Sequence, residues 1–137
     1  MDRVRFCLIG AGRAGMVHAL NIAFNIKNAE LTAIVDSERK VLQERGSELG
    51  VRNLFVNLDE ALEHNLFDAV IIVTPTFTHR DIAYRCAEAK KHIFCEKPMA
   101  VHVSDAQAMI EAAERHGVKL QIGFMRRFDP LFLQAKR

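Results

Sequence analysis

The sequence predicts an α/β protein built on a doubly wound, all-parallel sheet of six strands with helices on both faces. Three observations lead there. Short β-branched apolar runs alternate with helix-length amphipathic segments along the whole chain, which is the pattern of strand and crossover helix. The run Ala69-Val70-Ile71-Ile72-Val73 is apolar without alternation, as expected of a strand buried on both faces. The first apolar run passes straight into a glycine turn and then into a helical pattern. At 137 residues the chain is long enough for one domain with a sizeable core.

Val4-Arg5-Phe6-Cys7-Leu8-Ile9 is the first strand, and Gly10-Ala11-Gly12-Arg13-Ala14-Gly15 follows it at G-x-G-x-x-G spacing. Each glycine has a physical role. Gly10 permits the tight turn, Gly12 lets the backbone approach a pyrophosphate, and Gly15 lets the helix pack close to the strand. The anion would sit on the helix N-terminus, where N–H groups and the dipole favour negative charge. Gly10, Ala11, Gly12, Arg13, Ala14 and Gly15 are therefore the candidate cradle of a Rossmann-type dinucleotide site. His18, Ala19, Ile22, Ala23 and Ile26 continue as the helix.

About 20 residues on, where the fingerprint requires an acidic residue, residues 30–36 form a second strand ending at Asp36. Its carboxylate is placed to accept from the adenosine ribose hydroxyls and to repel a 2′-phosphate, which favours NAD. Ser37, with Arg39 and Lys40, leaves NADP open, since a hydroxyl and nearby cations could hold that phosphate. Asp36 and Ser37 also suit the cap of the next helix.

That helix spans residues 37–49 and stops at Gly50. Residues 53–56 are a third strand, and Asn57 with Glu60 forms a capping pattern for a short helix ending near His64. After the fourth strand come Thr74, Pro75, Thr76 and His79, then a helix over residues 80–89. Residues 92–95 are the fifth strand, ending at Glu96-Lys97-Pro98. Ser104 with Gln107 forms a second capping box, opening a helix that closes at His116 and Gly117. Residues 119–124 are the sixth strand. Asp129-Pro130 is an N-cap followed by proline at the first helical position. The apolar residues after it end at Arg137, so the sequence looks interrupted there.

Composition excludes several classes. A net charge of +2 with no Lys/Arg stripe interleaved with aromatics gives no nucleic-acid footprint. No apolar stretch is long enough for a signal-peptide core or a membrane span, so a cytoplasmic location is expected. Cys7, Cys86 and Cys95 are scattered, without C-x-x-C or zinc spacing, and read as reduced structural thiols. No metal site follows from them or from the six histidines.

In doubly wound sheets ligands bind at the carboxyl ends of the strands. That rule gathers the glycine turn, Asp36, residues 74–79, Glu96, Lys97, Pro98, Arg126 and Arg127 on one rim.

These motifs together resemble the Gfo/Idh/MocA oxidoreductase family. The resemblance is carried by the glycine turn with His18, by Ala33-Ile34-Val35-Asp36, by Thr74-Pro75-Thr76 with His79, and by Lys91-His92-Ile93-Phe94-Cys95-Glu96-Lys97-Pro98. Gln121-Ile122-Gly123-Phe124-Met125-Arg126-Arg127-Phe128-Asp129 resembles the inositol dehydrogenase subgroup. Lys90 stands where relatives often have glycine.

The resemblance implies NAD(P)-dependent transfer of a hydride from a secondary hydroxyl of a cyclic polyol or sugar. Lys97 is implied to reach the reacting hydroxyl and the cofactor ribose as the catalytic cation. A lysine suits this, being a compact cation with several donors. Glu96 is implied to lie beside the cofactor, and Thr74, Pro75 and Thr76 to line its nicotinamide half. The peptide before Pro98 is a candidate for the cis form. His79 either belongs to that site or simply starts the following helix. Arg126 and Arg127 either contact cofactor or substrate or anchor their loop by ion pairs, and Arg126 is the one assigned to the cofactor.

The family architecture further implies that residues 1–125 are the cofactor domain. Residues 126–137 would begin a link to a second domain that supplies the substrate pocket, the proton acceptor and a homo-oligomer interface. The alternative is a free-standing NAD(H)-binding sensor or partner-binding module that turns nothing over.

Overall fold

The computed structural model describes residues 2–137. Six strands, β1 Val4–Ile9, β2 Ala29–Val35, β3 Asn53–Phe55, β4 Ala69–Ile72, β5 His92–Glu96 and β6 Leu120–Gly123, form one sheet in the order β3-β2-β1-β4-β5-β6. Every pairing is parallel. The strand order reverses between β1 and β4, so a crevice opens at their carboxyl ends.

Five α-helices cross between the strands, α1 Arg13–Leu20, α2 Arg39–Leu49, α3 Leu58–His64, α4 His79–Glu88 and α5 Val103–His116, and a sixth, α6 Pro130–Lys136, follows β6. Alternation along each strand sends successive side chains to opposite faces. Cys7, Ile9, Val70, Ile72, Ile93 and Cys95 meet α3, α4 and α5 through Ala61, Ala83, Cys86 and Met109. Leu8, Ile34 and Ile71 meet α1 and α2 through Met16, Ala19 and Leu42. The sheet is thus covered on both faces, as the unalternating run at β4 predicts.

Helix ends follow local chemistry. Asn57 caps α3 by accepting from the N–H groups of Asp59 and Glu60. Gly50 and Gly117 close α2 and α5 in the left-handed conformation. Asp129 caps α6 through the Leu131 N–H, with Pro130 at the first position.

Most boundaries fall within one residue of the sequence reading, and three depart further. α2 begins at Arg39, not residue 37, because the Asp36 carboxylate takes the Glu38 N–H at 2.9 Å and holds Glu38 extended. α5 begins at Val103, with the His102 carbonyl accepting from Asp105 and Ala106. Ser104 is therefore inside the first turn and caps nothing, while Gln107 donates to Glu111. α1 continues as one π turn, Asn21–Asn25, in which the Ile26 N–H reaches the Asn21 carbonyl.

The three cysteines are buried and free. Burial raises the thiol of Cys7 and pushes those of Cys86 and Cys95 up to about 12, so they stay protonated at neutral pH.

Candidate functional site

The glycine turn leaves β1 at Gly10, whose φ of +94° lies in the left-handed region. A Cβ on Gly10 would lie 2.2 Å from the Val73 carbonyl oxygen, so the turn passes directly against the end of β4. A Cβ on Gly15 would lie 2.1 Å from the Gly10 carbonyl oxygen, which is the close helix–turn packing the motif predicts. A Cβ on Gly12 would meet nothing within 4 Å. Gly12 is also the N-cap of α1, and no side chain caps that end. Backbone at this helix start faces open space, which suits a pyrophosphate.

A cleft of about 460 Å³ runs from this turn to the ends of β2, β3 and β4. Gly10, Gly12, Asp36, Ser37, Thr74 and Pro75 line it, together with Val56, Thr78, Ile82 and Arg85. Asp36 is half-buried at its edge. One carboxylate oxygen accepts from the Ala11 N–H at 2.9 Å and the other from the Glu38 N–H at 2.9 Å. A carboxylate has about four acceptor positions. Asp36 thus braces the turn and keeps capacity for two ribose hydroxyls. The open turn, the cleft and the acidic edge together fit a dinucleotide.

The other predicted residues fall outside this cleft. Ala11 is fully buried, Gly15 lies behind the turn, and Arg13 and Ala14 are exposed on the first turn of α1. Thr76 opens a short 3₁₀ turn, Thr76–Thr78. Thr78 faces the cleft in its place, and its hydroxyl bonds both Thr74 Oγ1 and the Pro75 carbonyl at 2.6 Å. His79 is buried at 1% exposure beneath the loops.

A second cavity, of about 520 Å³, opens past the ends of β5 and β6 and is lined by Lys97, Phe124, Met125, Arg126 and Arg127. Lys97 is exposed there, and its peptide bond to Pro98 is cis. Arg126 and Arg127 make cation–π contacts, over Phe132 at 5.0 Å and Phe124 at 5.8 Å.

Glu96 points to the α1 side of the sheet. One of its oxygens lies 2.7 Å from His18 Nε2, and the other accepts from the Lys97 N–H at 3.1 Å. The His18 ring packs edge-on against Phe94. This pair ties the dinucleotide helix to the strand that carries Lys97.

Sequence reasoning did not single out Ile82 and Arg85, which reach the cleft one turn apart on α4. Their spacing to Thr78 was the available signal. Arg85 is held by Asp59 and Asp81, and the Asp59 contact raises its pKa above the usual arginine value. The His18–Glu96 contact, 78 residues apart in sequence, left no local signal.

With this geometry in place, comparison with known proteins decides the family. Residues 4–124 match the family model Gfo/Idh/MocA, described as the oxidoreductase family, NAD-binding Rossmann fold. The chain belongs to this family. Among curated Gfo/Idh/MocA relatives it is 40% identical over 135 residues to the scyllo-inositol 2-dehydrogenase (NAD(+)) of Bacillus subtilis. It is also 40% identical over 133 residues to the myo-inositol 2-dehydrogenase of Thermotoga maritima. The alignments cover 98% and 97% of this chain but 40% of each relative, so the chain spans about two fifths of their length. Among solved structures, the scyllo-inositol dehydrogenase of Lactobacillus casei with bound NAD(H) and scyllo-inositol superposes with a TM-score of 0.93 at 34% identity. That superposition covers 98% of this chain and 40% of the other.

The Rossmann reading and its NAD-binding character are thereby established for this chain as a family member. Among the described residues, no helix is long and apolar enough to cross a membrane. No group of three or more His, Cys, Asp or Glu side chains among them could hold a metal ion.

Proposed function

We propose that this chain is the cofactor domain of an NAD-dependent dehydrogenase that oxidises a secondary hydroxyl of an inositol-like cyclic polyol or a sugar. The observation that carries the reading is one rim holding two sites. The glycine turn and Asp36 stand on one cleft, and Lys97 stands on the cavity past the neighbouring strands. The inositol dehydrogenase relatives, one of them solved with NAD(H) and scyllo-inositol, support the substrate class.

In this reading Gly10, Ala11, Gly12, Arg13, Ala14 and Gly15 present the pyrophosphate site, while Asp36 and Ser37 take the adenosine ribose. Thr74, Pro75, Thr76 and Arg126 border the nicotinamide half. The bound nicotinamide supplies the hydride acceptor. Lys97 donates hydrogen bonds to the reacting oxygen and stabilises negative charge as its proton leaves. Glu96, bonded to the Lys97 N–H, holds that lysine's backbone in place. The proton acceptor belongs to a second domain, which residues 126–137 lead into and which also forms the homo-oligomer. Asp36 sets NADH above NADPH through charge repulsion.

The test is turnover by the full-length protein, followed as NADH absorbance with a panel of inositols and sugars. Activity with at least one is expected, with NADH bound more tightly than NADPH; failure with all of them overturns the reading. Lys97→Met in that protein is expected to cut kcat by about 10²-fold or more with NADH affinity within a few-fold. Unchanged turnover removes Lys97 from catalysis.

A further inference from the structure

His79 is the first residue of α4 and is 1% exposed. Lys91 is the other buried charged or polar residue among those described, and it lies away from the rim, bonded to the Phe67 carbonyl. A buried polar ring is retained where its hydrogen bonds are needed, since an apolar group of similar size packs without a desolvation cost. Every polar neighbour of the His79 ring is a backbone carbonyl. Nε2 lies 2.9 Å from the Thr74 oxygen, and Nδ1 lies 3.0 Å from the Pro98 oxygen and 3.2 Å from that of Met99. Carbonyls only accept, so each ring nitrogen can bond its loop only as an N–H: a neutral imidazole holds one loop through its single N–H with the other loop packed against the ring, and a doubly protonated ring holds both.

Those two loops carry different parts of the site. The loop after β4 presents Thr74 and Pro75 to the cofactor cleft, and the loop after β5 presents Lys97 to the second cavity. His79 lies 5 residues from Thr74 and 19 from Pro98 in the chain, and it reaches both loops from a helix whose Ala83, Cys86 and Ala87 are fixed in the core. We infer that His79 is a positioning residue: it locks the Thr74 loop to the Lys97–Pro98 loop and so fixes the spacing between the cofactor-facing and substrate-facing groups. Hydride transfer is sensitive to misplacements on the order of 1 Å, so the lock acts on kcat without touching either ligand. The inference rests on the dehydrogenase reading above.

Its test compares His79→Gln, His79→Asn and His79→Leu in the full-length protein. Glutamine can keep a donor near the Thr74 oxygen, asparagine a donor near the Pro98 oxygen, and leucine neither. Active sites are counted by NADH titration, and kcat is expressed per NADH-binding site, so that loss of folded protein does not count as loss of catalysis. We expect kcat per site to fall about tenfold or more in His79→Leu and less in the two amide variants. The NADH Kd should remain within about threefold.

A second readout is independent of turnover. Amide hydrogen exchange in the cofactor-free protein should quicken about tenfold in residues 74–79 and 96–100 together, with the rest of the sheet unchanged. The inference is overturned if kcat per site stays at the wild-type value in every variant that folds, or if exchange quickens in only one loop. The one-loop criterion applies to His79→Leu; should that variant fail to fold, kcat per site at the wild-type value in both amide variants overturns the inference. A wild-type protein that binds NADH but oxidises no polyol or sugar overturns the dehydrogenase reading and this inference with it. An active wild type with unaffected variants overturns the inference alone.

Discussion

Gly12 and Gly15 belong to one motif, and the space around each separates their roles. A methyl group at Gly15 would sit 2.1 Å from the Gly10 carbonyl oxygen, a backbone atom that cannot move without opening the turn. Gly15→Ala is therefore expected to destabilise the fold by about 1–3 kcal/mol or more, read as a lower urea midpoint. At Gly12 the methyl meets nothing, so Gly12→Ala should leave the stability within about 0.5 kcal/mol of wild type. Its cost falls on the ligand: NADH affinity should drop about tenfold, measured by fluorescence titration. Equal loss of stability in both variants would contradict the division. Spacing in the sequence marked all three glycines and assigned Gly12 to the ligand and Gly15 to helix packing, but it could not say which atoms each would meet. Asp36 shows the same limit, since ribose binding and helix capping were alternatives in sequence. In the fold its two oxygens already brace Ala11 and Glu38 with room left to accept.

Elements were legible where a local signal sets their ends. Asn57 is an example: its side chain takes the Asp59 N–H at 2.8 Å, as a small polar residue before an apolar helix predicts. Asn57→Ala should cost about 1 kcal/mol in thermal or urea unfolding. Not every local signal is obeyed. Ser104 and Gln107 match a capping box, yet α5 starts earlier, at Val103. Gly46 weakens the helical pattern of α2, yet a Cβ there would lie 2.8 Å from Leu54, so glycine serves the packing of α2 on β3. The pairings His18–Glu96 and His79–Pro98 join elements brought side by side only by the sheet order, and no periodicity within one element can report them. The sheet's two covered faces were legible because apolar runs carry their burial in their own composition.

At the scale of the molecule, the two ends of the sheet have separate tasks. The carboxyl ends carry the cofactor cleft and Lys97, while the amino ends hold the strands in register. Arg5 at the start of β1 and Asp68 just before β4 make a two-pronged pair, with Nη2 to Oδ1 at 2.8 Å and Nε to Oδ2 at 3.2 Å. The Arg5 N–H also donates to Asp68, and the Asp68 N–H donates to the Arg5 carbonyl. Hydrogen bonds from Arg5 hold the Asp68 carboxyl at about 2, below its ordinary 3.8. A carboxyl depressed on folding stabilises the native state above its unfolded pKa, and that stabilisation is lost as pH falls through the folded value. Asp68→Asn should therefore lower the urea midpoint by a constant amount at neutral and mildly acidic pH. The gap to wild type should then shrink as pH falls from about 3.8 toward 2. A gap that persists unchanged at the lowest pH would mean that the pair acts through shape and not charge. Because this pair lies at the opposite end of β1 from Gly10, NADH affinity at neutral pH should match wild type, separating the charge that holds the sheet from the groups that hold the cofactor.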